Sequence, residues 1–132
     1  MMKNVKKRLK NERGLTLIEL LAVIVILGII AAIAIPSVNG IINKSKEDAI
    51  KTEAKAIVNA AKLYVVDNDL ASTSSVTLTE DASGPNLIEY LDTNAEYSIT
   101  ITNTSGTFSY TDISVTKDGI SRDYENESAI NN

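Results

Sequence analysis

Cysteine and histidine are both absent from the 132 residues. Without cysteine there is no disulfide, no thiolate metal site and no lipid-modified cysteine anchor. Without histidine, the commonest general base and the commonest metal ligand are missing. A catalytic site would have to be assembled from carboxylates, Lys, Ser or Tyr alone. The Ser and Thr that crowd the chain after residue 70 have no imidazole to activate them as nucleophiles, and they suit strands and turns. No catalytic residue, cofactor or metal site emerges, and the chain is expected not to be an enzyme. No internal repeat is present either.

Positive charge is scarce over most of the chain and concentrated at one end. Residues 1–14 hold Lys3, Lys6, Lys7, Arg8, Lys10 and Arg13 against one acid, Glu12. Residues 37–132 hold 15 acids against seven bases, a balance of −8. A body of that sign repels phosphate over most of its surface, which disfavours direct nucleic-acid binding. A basic patch beside an apolar run suits the cytoplasmic flank of a membrane span. Asp112, Asp118, Asp123, Glu125 and Glu127 crowd the C-terminal part, but their spacing is not that of an EF-hand loop, and they suit a solvated acidic surface.

The chain divides into three segments: a polar basic leader at 1–14, an apolar segment at 15–36 and a globular domain at 37–132. Leu15–Ile35 is LTLIELLAVIVILGIIAAIAI, with Glu19 its one charge. As a helix it would be about 31 Å long, enough to cross a bilayer core. A lone span must pair all its backbone polar groups internally, so it must be helical. From 37 to 68, Val38, Ile41, Ile42, Ala49, Ile50, Ala54, Ile57, Val58, Ala61, Tyr64 and Val65 recur at spacings of three and four, which marks an amphipathic helix. Glu47 and Lys51 form an acid–base pair four residues apart on its polar side. Pro36 is expected to kink the junction rather than end the helix, and Gly28 and Gly40 are weak points in the same rod.

Residues 69–96 suit a loop, with a short strand at Val76–Thr79 and one helical turn at Asn86–Leu91. Strands are predicted over 97–124. Tyr97, Ile99 and Ile101 alternate with Ser98, Thr100 and Thr102. A turn follows at Asn103–Gly106, then a strand from Phe108 to Thr116, where the step from Tyr110 to Ile113 breaks alternation and predicts a bulge. Lys117–Asp118–Gly119 is a second turn, Ile120–Tyr124 a third strand, and 125–132 a frayed tail. The five tyrosines suit core or sheet-face positions. The fold class is therefore α+β: a long N-terminal helix, transmembrane in one half and amphipathic in the other, packed on a small antiparallel sheet.

The run Arg13–Gly14–Leu15–Thr16–Leu17–Ile18–Glu19–Leu20 joins a basic leader ending in glycine to an apolar helix with an acid near its start. A carboxylate in a membrane helix costs a few kcal/mol near the centre and less near the end. Cleavage after Gly14 would create a cationic amine on Leu15, four residues from Glu19. In parallel helices offset along their axes, the amine of one could meet the carboxylate of another, which would offset desolvation and penalise wrong registers. Over residues 8–40 the sequence resembles the class III leader and assembly helix shared by type IV pilins, type II secretion pseudopilins and competence pseudopilins.

The resemblance implies a structural subunit of a type IV pilus or pseudopilus. It implies prepilin peptidase cleavage between Gly14 and Leu15, N-methylation of Leu15, assembly through Glu19, and helix flexibility bounded by Gly28 and Pro36. The family's usual first mature residue is Phe, and Leu stands there in this chain. The implied partners are like subunits, the prepilin peptidase and methyltransferase, a membrane assembly platform and the lipid bilayer. The implied location is a single-pass membrane precursor with a cytoplasmic N-terminus and, once mature, a cell-surface filament.

Simpler readings compete. One is a secretory signal with Ala32–Ile33–Ala34 as its small-x-small cleavage site. Another is an unprocessed anchor for an extracellular binding module that does not polymerise. Neither gives a reason for the ordered G-L-T-L-I-E.

Overall fold

The computed structural model describes the backbone from Met2 to Asn132 and the side chains from Gly14 onward. The six basic side chains of the expected leader, Lys3 to Arg13, lie outside the described residues. The elements are α1 (Met2–Asp67), β1 (Thr73–Thr79), β2 (Glu96–Thr104), β3 (Thr107–Lys117), β4 (Ile120–Asn126) and α2 (Glu127–Asn131). The chain divides into two units, Met1–Asn43 and Lys44–Asn132.

In the first unit the helix does not end at Pro36. Proline has no N–H to give to the carbonyl four residues back. Ser37 sits beside that interruption and donates its hydroxyl to the Ile33 carbonyl at 3.3 Å. None of the described residues up to Ala49 is buried within this chain.

In the second unit, the remaining length of α1 packs on a four-stranded antiparallel sheet of order β1-β2-β3-β4. This is the α+β architecture that the patterning predicts. Ile50, Ala54, Ile57, Val58 and Ala61 enter a core with Leu78 of β1, Tyr97, Ile99 and Ile101 of β2, and Ile113 and Val115 of β3. The helical period places the helix residues on one face, and the strand period of two places the strand residues on the other. The outer face of the sheet is hydroxyl-rich: Ser75 meets Thr102 and Thr77 meets Thr100 across β1 and β2. Tyr64, Tyr90, Tyr110 and Tyr124 pack around the core, as expected.

The break in alternation on β3 is a bulge. Ser98 pairs with Ser114 and Thr100 with Thr111, so Asp112 and Ile113 together oppose Ile99. Asp112 takes φ +50°, and the extra residue returns Ile113 and Val115 to the core side. Both hairpin turns have positive φ at their two central residues, Ser105–Gly106 and Asp118–Gly119. That geometry matches the twist of the flanking strands. Asn103 is buried, and it ties the first of these turns to the chain that leaves α1. Its amide donates to the carbonyls of Leu70 at 2.9 Å and Ala71 at 3.2 Å, and its oxygen accepts from the Gly106 N–H at 2.8 Å.

Four expectations are corrected. The strand in the 69–96 segment begins at Thr73 rather than Val76, because its first residues pair with β2 through backbone and hydroxyls without apolar alternation. The 125–132 tail is ordered: β4 runs to Asn126, whose side chain caps α2 at Ala129, and Ile130 is buried. The apolar stripe of α1 enters the core only at Ile50; Val38, Ile41, Ile42 and Ala49 remain exposed. Glu47 meets Arg122 of β4 instead of Lys51. The turn at 86–91 is present: the N–H groups of Tyr90 and Leu91 both donate to the Leu87 carbonyl at 2.9 Å.

Glu53 ties α1 to β3 and to the segment that precedes β2. Thr93 donates its hydroxyl to Glu53 Oε1, and Lys117 Nζ reaches Glu53 Oε2 at 3.1 Å. Burial is the largest influence on this carboxyl and pushes it up, but the Thr93 hydrogen bond and the bond and charge of Lys117 together outweigh it. The net shift is below the ordinary value of 4.5. A depressed carboxyl contributes stability above its unfolded value and loses it as pH falls through the folded one. Glu53→Gln should therefore cost about 1–2 kcal/mol near neutral pH. The gap from the unaltered chain should close as pH drops below 4.5. Urea titrations at pH 7 and pH 3 would check this; an undiminished gap at pH 3 contradicts the assignment.

Candidate functional site

The candidate site is the first stretch of described side chains, Gly14 to Pro36. All of it lies within α1. Leu15 and Glu19 are four residues apart on one helix, so they share a face and stand about 6 Å apart along the axis. Both are exposed, and the Glu19 carboxylate makes no ion pair among the described residues.

The apolar side chains around Glu19 occupy every direction about the helix. Leu17, Ile18, Leu20, Leu21, Val23 and Ile24 are each more than half exposed, and the pattern continues to Ile35 at 60 %. A helix that is apolar all round is stable only when covered by lipid or by other helices. By length and composition the helix from Gly14 onward is able to cross a membrane. Among the described residues, Glu19 is thus the one charged side chain near the start of a largely apolar helix.

The glycines of the segment have no steric reason within the chain. A Cβ at Gly14 or at Gly28 would meet no atom within 4 Å. Nothing among the described residues requires glycine at either position; each lowers the helix propensity of its stretch. Gly28 and Pro36 do bracket a stretch with one missing backbone donor, at Pro36.

The structure brings Gly14, Leu15 and Glu19 within just over one turn and sets Gly28 and Pro36 further along the same helix. Of the acidic residues near the C-terminal part, Asp112, Asp123 and Glu125 line one open groove, and Asp118 and Glu127 lie outside it. Among the described residues, no group of three or more carboxylates is placed to hold a metal ion. Glu127 is instead engaged by Lys62. The sequence reading missed the three ion pairs that clip the sheet to α1: Lys62–Glu127, Lys117–Glu53 and Arg122–Glu47. Their partners lie 64 to 75 residues apart, so no local spacing signals them.

A family profile described as the prokaryotic N-terminal methylation motif matches residues 9–35. The chain is similar to type II secretion system core protein G of Vibrio cholerae, 39% identical over 70 residues, which cover 52% of this chain and 47% of the relative. It is similar to the protein of the same name from Escherichia coli, 36% identical over 79 residues, or 58% of this chain and 53% of the relative. It is also similar to the type IV major pilin protein of Myxococcus xanthus, 46% identical over 59 residues, or 45% of this chain and 27% of the relative. The chain spans about half the length of the secretion-system relatives it matches. No solved structure gives a significant match.

Proposed function

We propose that this chain, a member of the pilin and pseudopilin family by its N-terminal methylation motif, is a structural subunit of a type IV pilus or pseudopilus. It is a filament component and not an enzyme. The precursor sits in the membrane with its basic leader in the cytoplasm and its acidic domain outside, the orientation that six basic residues ahead of the span favour. The prepilin peptidase cuts between Gly14 and Leu15 and methylates the new amine. The membrane assembly platform then adds the mature subunit to like copies, and to other pilin-like subunits, in a helical filament on the cell surface.

The observation that carries this reading is that a carboxylate with no ion pair among the described residues, Glu19, lies beside the Gly14–Leu15 junction at the head of an exposed apolar helix. Each part answers a need of assembly. The exposed side chains require lipid before polymerisation and other helices after it. The bare Gly14 suits the active site of a peptidase. No cation meets the Glu19 carboxylate among the described residues, and the cut would supply one. An anchor that stays monomeric needs only the apolar run.

Mass spectrometry of the N-terminal peptide from membranes tests the reading. The expected terminus is Leu15 carrying one methyl group. A terminus at Ile35 would mark a secretory signal, and an intact leader in sheared surface material would contradict the processing step.

A further inference from the structure

Charge in the unit Lys44–Asn132 is separated as well as unequal. Three basic side chains are engaged within the fold: Lys62 by Glu127, Lys117 by Glu53 and Arg122 by Glu47. Lys44, Lys51 and Lys55 make no ion pair among the described residues. Their spacings of seven and four put them on one stripe of α1, about 110° round the helix from the core positions Ile50, Ala54, Ile57 and Ala61. Lys44 and Lys55 are exposed and Lys51 is half-buried.

The sheet carries the opposite charge on its outer layer. Ile113 and Val115 point to the core, so Ser114 between them points away, and Asp123 pairs with Ser114. Asp123 and Glu125 are two residues apart on β4 and share that outward face. With Asp112 of the bulge they line one open groove beside Tyr124. All three are exposed, and none makes an ion pair among the described residues.

We infer that the lysine stripe on α1 of one copy docks on the Asp112–Asp123–Glu125 groove of a second copy of this chain. The inference rests on the filament reading and gives it a lateral contact. Two different patches on one molecule that complement each other make a head-to-tail interface, and repetition of such an interface generates a helical polymer. The net negative charge of the body makes most mutual orientations of two copies repulsive. Bringing the stripe to the groove relieves that repulsion in one arrangement, so the pairing selects register more than it adds affinity.

The test uses the full chain in cells and reads the ratio of sheared filament to membrane-held mature protein. Lys44→Glu/Lys51→Glu/Lys55→Glu should lower it about tenfold. Asp123→Lys/Glu125→Lys should do the same, and the five substitutions together should restore assembly. Asp112 is left unchanged because its φ of +50° suits Asp better than Lys. The neutral versions, Lys→Gln and Asp123→Asn/Glu125→Gln, keep the surface polar and should give smaller losses. Normal filaments from both reversed variants would overturn the inference while leaving the filament reading intact. So would a combined variant no better than either parent. Loss confined to the lysine variant would also overturn it, by pointing to another anion such as a lipid phosphate. Absence of filaments from the unaltered chain would overturn the filament reading, and this contact with it.

Discussion

Replacing Ile57 with aspartate should abolish cooperative folding of the unit Lys44–Asn132. Ile57 has no exposed surface and lies where α1 meets the sheet, in one cluster with Ile99, Ile101, Ile113 and Val115. Truncation to alanine alone should cost about 2–5 kcal/mol, through lost burial and the cavity left behind. Small domains have about 5–15 kcal/mol in total, so Ile57→Ala should still fold with a lowered midpoint. Aspartate adds the cost of an unpaired buried carboxylate, several kcal/mol further, with no cation in the cluster to meet it. Val66→Asp on the same helix is the control, because Val66 is 83% exposed. It should stay within about 0.5 kcal/mol of the unaltered domain. Urea unfolding of a fragment beginning at Ser37, followed by near-UV circular dichroism, would show a sigmoidal transition for the control and none for Ile57→Asp. A cooperative transition at the unaltered midpoint would contradict the packing of helix on sheet.

The parts of this fold that could be read in the sequence are those where one physical period dominates a long stretch. The apolar run from Leu15 to Ile35, the three-and-four spacing up to Val65 and the alternation of Tyr97, Ile99 and Ile101 each announce their element. The Asp118–Gly119 turn is legible because its backbone suits few other residues. The bulge is legible because Tyr110 and Ile113 cannot face one side of a regular strand, and Asp112 absorbs the difference.

What escaped the reading depends on partners far away in the chain. Val38, Ile41 and Ile42 continue the helical period, but periodicity identifies a face and not what lies against it; the core begins at Ile50. Glu47 had a lysine at the favoured spacing, yet Arg122 on β4 takes it. The helix α2 has five residues and one buried anchor, Ile130, too short for any period to register. Strand β1 begins with the polar run Thr73–Ser74–Ser75, in which Ser75 meets Thr102 of β2 through hydroxyls and no apolar side chain marks the strand. The candidate site was legible for the opposite reason. Gly14, Leu15 and Glu19 sit within one local motif, and no fold of the rest is needed to bring them together.

Glu19→Gln should leave the chain inserted and cleaved but unable to form filaments. In the proposed processing step the peptidase meets chiefly the Gly14–Leu15 junction, which the substitution does not touch. Glutamine also makes the span more apolar, so insertion should be no worse. What is lost is the negative charge. In a bundle of apolar helices the amine of an incoming Leu15 would then be buried without a counter-ion. An unpaired charge in such surroundings costs on the order of a few kcal/mol per contact, and a polymer repeats that cost at every subunit. A rival explanation places Glu19 near the membrane surface with its carboxylate reaching water, a role that glutamine fills equally well. The two accounts give opposite outcomes. Under the pairing account, mature protein with a methylated Leu15 accumulates in the membrane and sheared material falls to background. Under the interfacial account, the ratio of filament to membrane-held protein is unchanged. The charge-conserving Glu19→Asp separates charge from reach: its shorter side chain keeps the anion and should recover part of the filament yield. Normal filaments from Glu19→Gln would remove the ion pair from the assembly mechanism while leaving cleavage at Gly14 in place.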